Sequence, residues 1–267
     1  MRTDLEQRFS WTEGELDVEF EKFNPSQPRD PAGSETGGQW TGGGATGSGQ
    51  NLDELPAEDN AAERLDAAQA GLRLSAAEKY ALLKYRGDSY DWNQYLRGGG
   101  EPVDTGTALP TEGLIERNDG LRALDSAFDK APPLDEAVVV WRGGASAKWS
   151  GGALNNGDVL EDLGYTSTST HVVTAHNFAA KQADDTMFLY RIGVTPGQRA
   201  LWMPAAGDRS ETELLLRRGT RYRVLSSNTI SARSYFEAHW QGQRPFADEA
   251  ILRARYSRVT IVDLITE

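Results

Sequence analysis

A chain of 267 residues with 38% hydrophobic and 25% charged residues has enough apolar surface for one large domain, or one domain with an appendage. It contains no cysteine, which excludes disulfides, thiolate nucleophiles and cysteine-ligated zinc, and no apolar run approaches the roughly 18 residues that a membrane-spanning helix needs. The formal net charge of −12 opposes polyanions, so nucleic acid is not an expected partner.

The opening MRTDLEQRFSWTEGELDVEF is acidic and lacks an apolar core, so it does not read as a secretory signal peptide. Residues 1–23 form a short segment of their own. Residues 24–52 are dominated by Gly, Pro, Ser and Thr and read as a flexible linker, because they carry too little apolar surface to offset the entropy of ordering. The Gly-rich run 42–49 has no preceding strand and no Gly-Lys-Ser/Thr, so it is not a phosphate loop. Residues 53–70 are acidic and Ala-rich and predict one helix. Residues 71–267 are the expected folded domain.

Ser75 and Glu78 form a capping box that opens a helix through about Tyr85. A second helix is expected over Tyr90–Arg97. A third follows Pro110-Thr111, with Leu114, Ile115, Leu121, Leu124 and Phe128 at helical spacing, and stops at Pro132-Pro133. The period then changes. Ala137–Trp141, Gly164–Ser169, Met187–Val194, Arg199–Met203, Glu213–Leu216, Tyr222–Leu225 and Arg258–Leu264 read as strands, with a helix from Thr170 or His171 to about Lys181. Helices first and strands afterwards predict an α+β domain with mostly antiparallel pairing. Arg217, Arg218, Arg221 and Arg223 read as solvated strand positions rather than a nucleic-acid site. His171, His176 and His239 have no metal-ligand spacing, and no metal is expected.

Three local words fall on three successive strand signals. Val139-Val140-Trp141-Arg142-Gly143 is an apolar strand ending in an arginine. Gly164-Tyr165-Thr166-Ser167-Thr168-Ser169 is the second. Ser210-Glu211-Thr212-Glu213-Leu214-Leu215-Leu216 carries two carboxylates into an apolar strand. Each alone is unremarkable composition. In this order they resemble the Arg–Ser–Glu signature of the clostridial-toxin-like mono-ADP-ribosyltransferases. The flanks are similar as well: Leu74–Glu78, Ala81–Tyr85, Ser89-Tyr90, Asn93 and Leu96-Arg97 look like that family's helical NAD-contacting region, and Arg218-Gly219-Thr220 like its strand–turn–strand sequel.

The resemblance implies an ADP-ribosyltransferase fold: two packed, mostly antiparallel sheets around an NAD cleft, with helices from the N-terminal part. It implies NAD as substrate, with no metal, and a protein acceptor with an exposed arginine. The catalytic set it implies is Arg142, Ser167, Glu211 and Glu213. Arg142 would hold phosphate oxygens with its planar, always charged fork. Glu213 would bond the ribose 2-OH and face the developing positive charge as the nicotinamide–ribose bond breaks, with Ser167 orienting that carboxylate. Glu211 would meet the acceptor guanidinium and help remove its proton; in the family a Glu at this position accompanies arginine acceptors. NAD contacts are further implied for Gly143, Thr168, Ser169, Tyr85, Tyr90, Asn93, Arg97 and Phe178.

Asn24-Pro25, Gln27-Pro28-Arg29 and Gly37-Gly38-Gln39-Trp40-Thr41 resemble a short segment of tailed-bacteriophage structural and packaged proteins. That resemblance implies packaging in a virion through residues 1–50, with 1–23 as a docking element, and action on host proteins in the bacterial cytoplasm. Two alternatives stay open on the sequence: an NAD glycohydrolase using the same residues, and a catalytically inert virion structural or adaptor protein.

Overall fold

The computed structural model describes residue 52 and residues 60–102, 117–144, 154–179, 185–204, 212–240 and 255–267, apart from the side chains at 87–90 and 239–240. The expectations for residues 1–51, for the helix start around Pro110–Ile115 and for Glu211 lie outside the described residues.

Among the described residues three helices come first: α1 (Ala61–Gln69), α2 (Ala76–Arg97) and α3 (Arg117–Lys130). The Ser75/Glu78 capping box is present at the start of α2: the Glu78 N–H donates to the Ser75 hydroxyl at 3.3 Å, and the Ser75 N–H donates to the Glu78 carboxylate at 2.6 Å. The two helices expected over Ser75–Arg97 are one continuous helix of 22 residues. The break expected near Gly87 is overridden by packing. Gly in a helix costs only about 1 kcal/mol against Ala, and buried residues on both sides of it, Leu82 and Tyr85 before, Trp92 and Leu96 after, join one core with Leu121, Leu124 and Phe128 of α3.

The strands are β1 (Val138–Gly144), β2 (Val159–Asp162), β3 (Thr166–Ser169), β4 (Thr186–Val194), β5 (Ala200–Trp202), β6 (Glu213–Leu216), β7 (Thr220–Ser231) and β8 (Arg258–Thr266). Helix α4 (Val172–Ala179) follows β3, and α5 (Ala232–Trp240) follows β7. The spatial order is β2-β7-β8-β4-β1-β3-β6-β5. Every pairing is antiparallel except β4 with β8. The fold is therefore α+β and mostly antiparallel, as expected. The two expected sheets are two halves of this order, joined between β1 and β3 by the single pair Trp141↔Ser169.

That weak joint lets the halves face each other. Val138 and Val140 of β1, Tyr190 and Ile192 of β4 and Leu264 of β8 share one buried core with Trp202 of β5 and Leu214 and Leu216 of β6. The outer face of β5 and β6, through Leu201 and Leu215, packs on α2 and α3. The outer face of β1, β4 and β8, through Trp141, Leu189 and Ile261, packs on α4 and α5. Edge strand β5 is covered by α1, where the Gln69 amide donates to the Ala200 carbonyl at 2.8 Å and accepts the Trp202 N–H at 3.0 Å, standing in for a neighbouring strand. Two elements escaped the sequence reading. Strand β2 is only four residues long. Helix α5 does carry a start signal, Ser231, whose hydroxyl accepts the Ser234 N–H at 2.9 Å, followed by buried Ala232, Tyr235 and Phe236 at helical spacing.

Candidate active site

The site is built where the sheet divides. Strand β1 pairs with β4 along all seven residues from Val138 to Gly144, but meets β3 only at Trp141. Arg142 is the next residue, and its Nη1 donates to the main-chain carbonyl of Ser167 at 2.6 Å. An arginine side chain thus satisfies a strand carbonyl that a longer β1–β3 ladder would have used.

On β3 the side chains alternate. Thr166 and Thr168 serve the fold: the Thr166 hydroxyl donates to Asp162 at 2.8 Å and accepts from Tyr222 at 3.0 Å, and the Thr168 hydroxyl donates to the Leu214 carbonyl at 2.6 Å. Ser167 lies on the opposite side with Ser169, toward the Tyr85 hydroxyl. The Ser169 hydroxyl meets that of Thr212 at 3.2 Å and accepts the His171 N–H at 3.1 Å, at the entry to α4. Thr168 and Ser169 are buried, with their hydroxyls given to these internal partners.

Glu213 opens β6 directly opposite Ser169 and lies on the Ser167 side of the half-sheet, 8% exposed. A carboxylate this buried at the mouth of an apolar strand is costly without a function or a partner. With Arg142 on the Ser167 carbonyl and Glu213 opposite Ser169, the three sequence words come close to the β1–β3 joint, and the Tyr85 hydroxyl lies in the fields of both Glu213 and Arg142. Burial pushes the Tyr85 hydroxyl up to about 12, so it stays a neutral phenol at physiological pH.

Helix α2 supports this place from beneath. Tyr85 is 1% exposed and Asn93 is 7% exposed. The Asn93 amide donates to the Tyr85 hydroxyl at 2.8 Å, and its carbonyl oxygen accepts the Tyr165 N–H at 2.8 Å. Arg97 grips Asp162 with Nε and Nη2, both at 2.7 Å. Burial works against the Arg97 charge, and the hydrogen bonds and charge of Asp162 outweigh it and raise its pKa. Tyr90 lies on α2 with its side chain outside the described residues. Phe178 stands exposed on α4. Gly143 is dictated by packing, since a Cβ there would lie 1.8 Å from the Ala175 carbonyl oxygen of α4.

Sequence reasoning missed Asp162 and Asp125. Tyr165, stacked on Phe128, donates its hydroxyl to Asp125 at 2.8 Å, and Arg218 closes on the same carboxylate at 2.9 Å. The only sequence signal for Asp162 is an acid just before Gly164-Tyr165. The other basic residues singled out are also ion-paired: Arg217 with Asp129 at 2.8 Å, Arg221 with Glu267 at 3.4 Å, and Arg223 with Glu267. Among the described residues no cluster of three or more His, Asp or Glu could hold a metal ion, and no helix is long and apolar enough to cross a membrane.

The family model described as ADP-ribosyltransferase exoenzyme matches residues 60–241. Exoenzyme T of Pseudomonas aeruginosa is 33% identical over 154 residues, which cover 57% of this chain and 30% of that protein. Among solved structures, the fold is similar to Plx2a, an ADP-ribosyltransferase toxin from Paenibacillus larvae, with a TM-score of 0.54 at 16% identity over 79% of this chain and 96% of that one. It is also similar to the Clostridium limosum C3 exoenzyme, with a TM-score of 0.51 at 18% identity over 80% of this chain and 96% of that one.

Proposed function

The chain belongs to the ADP-ribosyltransferase exoenzyme family, and from that premise we propose that it transfers a single ADP-ribose from NAD to an arginine of a protein acceptor, releasing nicotinamide. The observation that carries this reading is the convergence of Arg142, Ser167 and Glu213 at the joint between β1 and β3.

Each residue type suits one demand of the reaction. Arg142 offers fixed N–H donors to a phosphate oxygen. Glu213 places a desolvated negative charge where the ribose carbon becomes positive as its bond to nicotinamide breaks and the nicotinamide leaves with the electron pair. Ser167 orients that carboxylate. Glu211 orients the acceptor guanidinium and takes its proton as the new C–N bond forms. This step matters because a guanidinium with a pKa above about 12 is a poor nucleophile. Arginine as the acceptor rests on Glu211, two residues before Glu213. Delivery in a phage virion through residues 1–50, followed by action in the bacterial host cytoplasm, rests on the resemblance of residues 24–41 alone.

The test is incubation of the full chain with labelled NAD and a bacterial lysate, followed by mass spectrometry of modified residues. Label on arginine is the expected result. Nicotinamide release with no labelled protein would mean an NAD glycohydrolase. Neither product, from correctly folded protein, would mean an inert fold.

A further inference from the structure

Asp162 has the saturated coordination of a hub. Its side chain is 2% exposed. Oδ1 accepts Arg97 Nε at 2.7 Å and the Gly164 N–H at 3.0 Å. Oδ2 accepts Arg97 Nη2 at 2.7 Å and the Thr166 hydroxyl at 2.8 Å. Two bonds on each oxygen fill the lone pairs of a carboxylate. Between Gly164 and Thr166, the Tyr165 N–H is held by Asn93, which stands one helical turn before Arg97 on α2. Three consecutive residues leading into β3 are thereby fixed to one face of α2. Gly164 is part of the fit, because a Cβ there would lie 2.6 Å from the Asn93 amide oxygen.

We propose that Asp162 is a positioning residue for the NAD site, locking the Arg97 guanidinium at a set place relative to Ser167. The proposal rests on the reading of Arg97 as a phosphate-side contact. The grip is side-on and uses Nε and one edge of Nη2, which leaves the remaining N–H groups of a side chain that is 28% exposed for a phosphate of NAD. Without Asp162 the same guanidinium would sample several rotamers, and binding would have to freeze them.

Asp162→Asn tests this at nearly constant size. Whichever way the new amide turns, its NH2 faces an Arg97 N–H together with either the Gly164 N–H or the Thr166 hydroxyl, so the grip cannot be rebuilt. The expected result, read in the full chain with NAD as the probe, is a KM for NAD raised about tenfold with kcat changed much less, as for loss of one charge-assisted hydrogen bond that acts on binding. Arg97→Lys keeps the charge beside Asp162 and loses the fork, and should show the same split. The double variant should be no worse than the worse single one, since both remove one interaction. An unchanged KM in folded Asp162→Asn, or effects that multiply in the double variant, overturns the role of Asp162. Should Asp162→Asn not fold, Arg97→Lys decides: an unchanged KM overturns the proposal. A wild-type chain that does not bind NAD overturns the functional reading as well, whereas a wild type that binds beside an unaffected Asp162→Asn overturns only the positioning role.

Discussion

Arg142 reaches across the joint between the two half-sheets and donates from Nη1 to the main-chain carbonyl of Ser167 at 2.6 Å. The guanidinium therefore holds the end of β1 against β3, and in the proposed function it also meets a phosphate oxygen of NAD. Arg142→Lys supplies one compact ammonium that cannot serve both partners. NAD affinity should fall about tenfold or more, the loss of one or two charge-assisted hydrogen bonds. Equilibrium titration with NAD measures this, and wild-type affinity in the variant would show that Arg142 serves only the fold.

In the proposed function, Glu213 faces the reacting ribose and Glu211 the acceptor, so the two carboxylates make unequal demands on two assays. Glu213→Gln keeps size and removes the charge facing the reacting ribose, so transfer and NAD hydrolysis should fall together, on the order of 10²–10³-fold. Glu211→Gln removes the acceptor-side base alone, so transfer to arginine should fall far more than hydrolysis. The ratio of the two rates in each variant is the measurement. Equal loss of both reactions in Glu211→Gln would remove the support for an arginine acceptor.

Gly143→Ala should damage the fold rather than chemistry directly. The added Cβ would lie 1.8 Å from the Ala175 carbonyl and 2.6 Å from the Ala179 nitrogen, both backbone atoms of α4. Strand β1 and α4 must separate, at a cost of about 1–3 kcal/mol or more. Chemical denaturation should show a lower midpoint with an unchanged slope. Stability equal to wild type would mean that α4 can shift freely on the sheet.

Glu78 predicts a pH dependence. Its buried carboxylate would be raised by desolvation alone, but Lys130, Ser126 and Ser75 outweigh this and hold it below its ordinary value of 4.5. A carboxylate lowered in the folded state contributes stability that is complete above its unfolded value and is lost as pH falls through the folded one. Glu78→Gln keeps an acceptor for the Ser75 N–H but loses the charge that Lys130 meets and turns an NH2 toward a donor, so it should cost about 1–3 kcal/mol at pH 7. The gap from wild type should narrow as pH falls below the ordinary value of 4.5 and through the lowered folded one. A gap that is the same at pH 7 and pH 3, by denaturant titration, would contradict the assignment.

Much of this protein was legible locally. The capping box of α2, the apolar run of β1 and the Glu-x-Glu entry to β6 are short-range signals, because caps and side-chain alternation are set by neighbours in the chain. The order of the arginine, serine and glutamate words was enough to name the resemblance before any contact was known. Other features depended on partners far away in sequence. Helix α2 runs through Gly87 because α3 supplies a core on both sides of it. Asp162 becomes a hub only when Arg97, 65 positions earlier, is brought beside it. Arg142 finds Ser167 because the β1–β3 ladder stops after one pair and leaves a carbonyl to be satisfied. Local periodicity states which face of an element is buried, and the sequence alone determined that much, along with the residue types of the site. Which strand ends early, and which side chain fills the gap, is decided by register and closure of the whole sheet. Those are tertiary quantities, since a polar group's partner is chosen by what the fold places within hydrogen-bond reach.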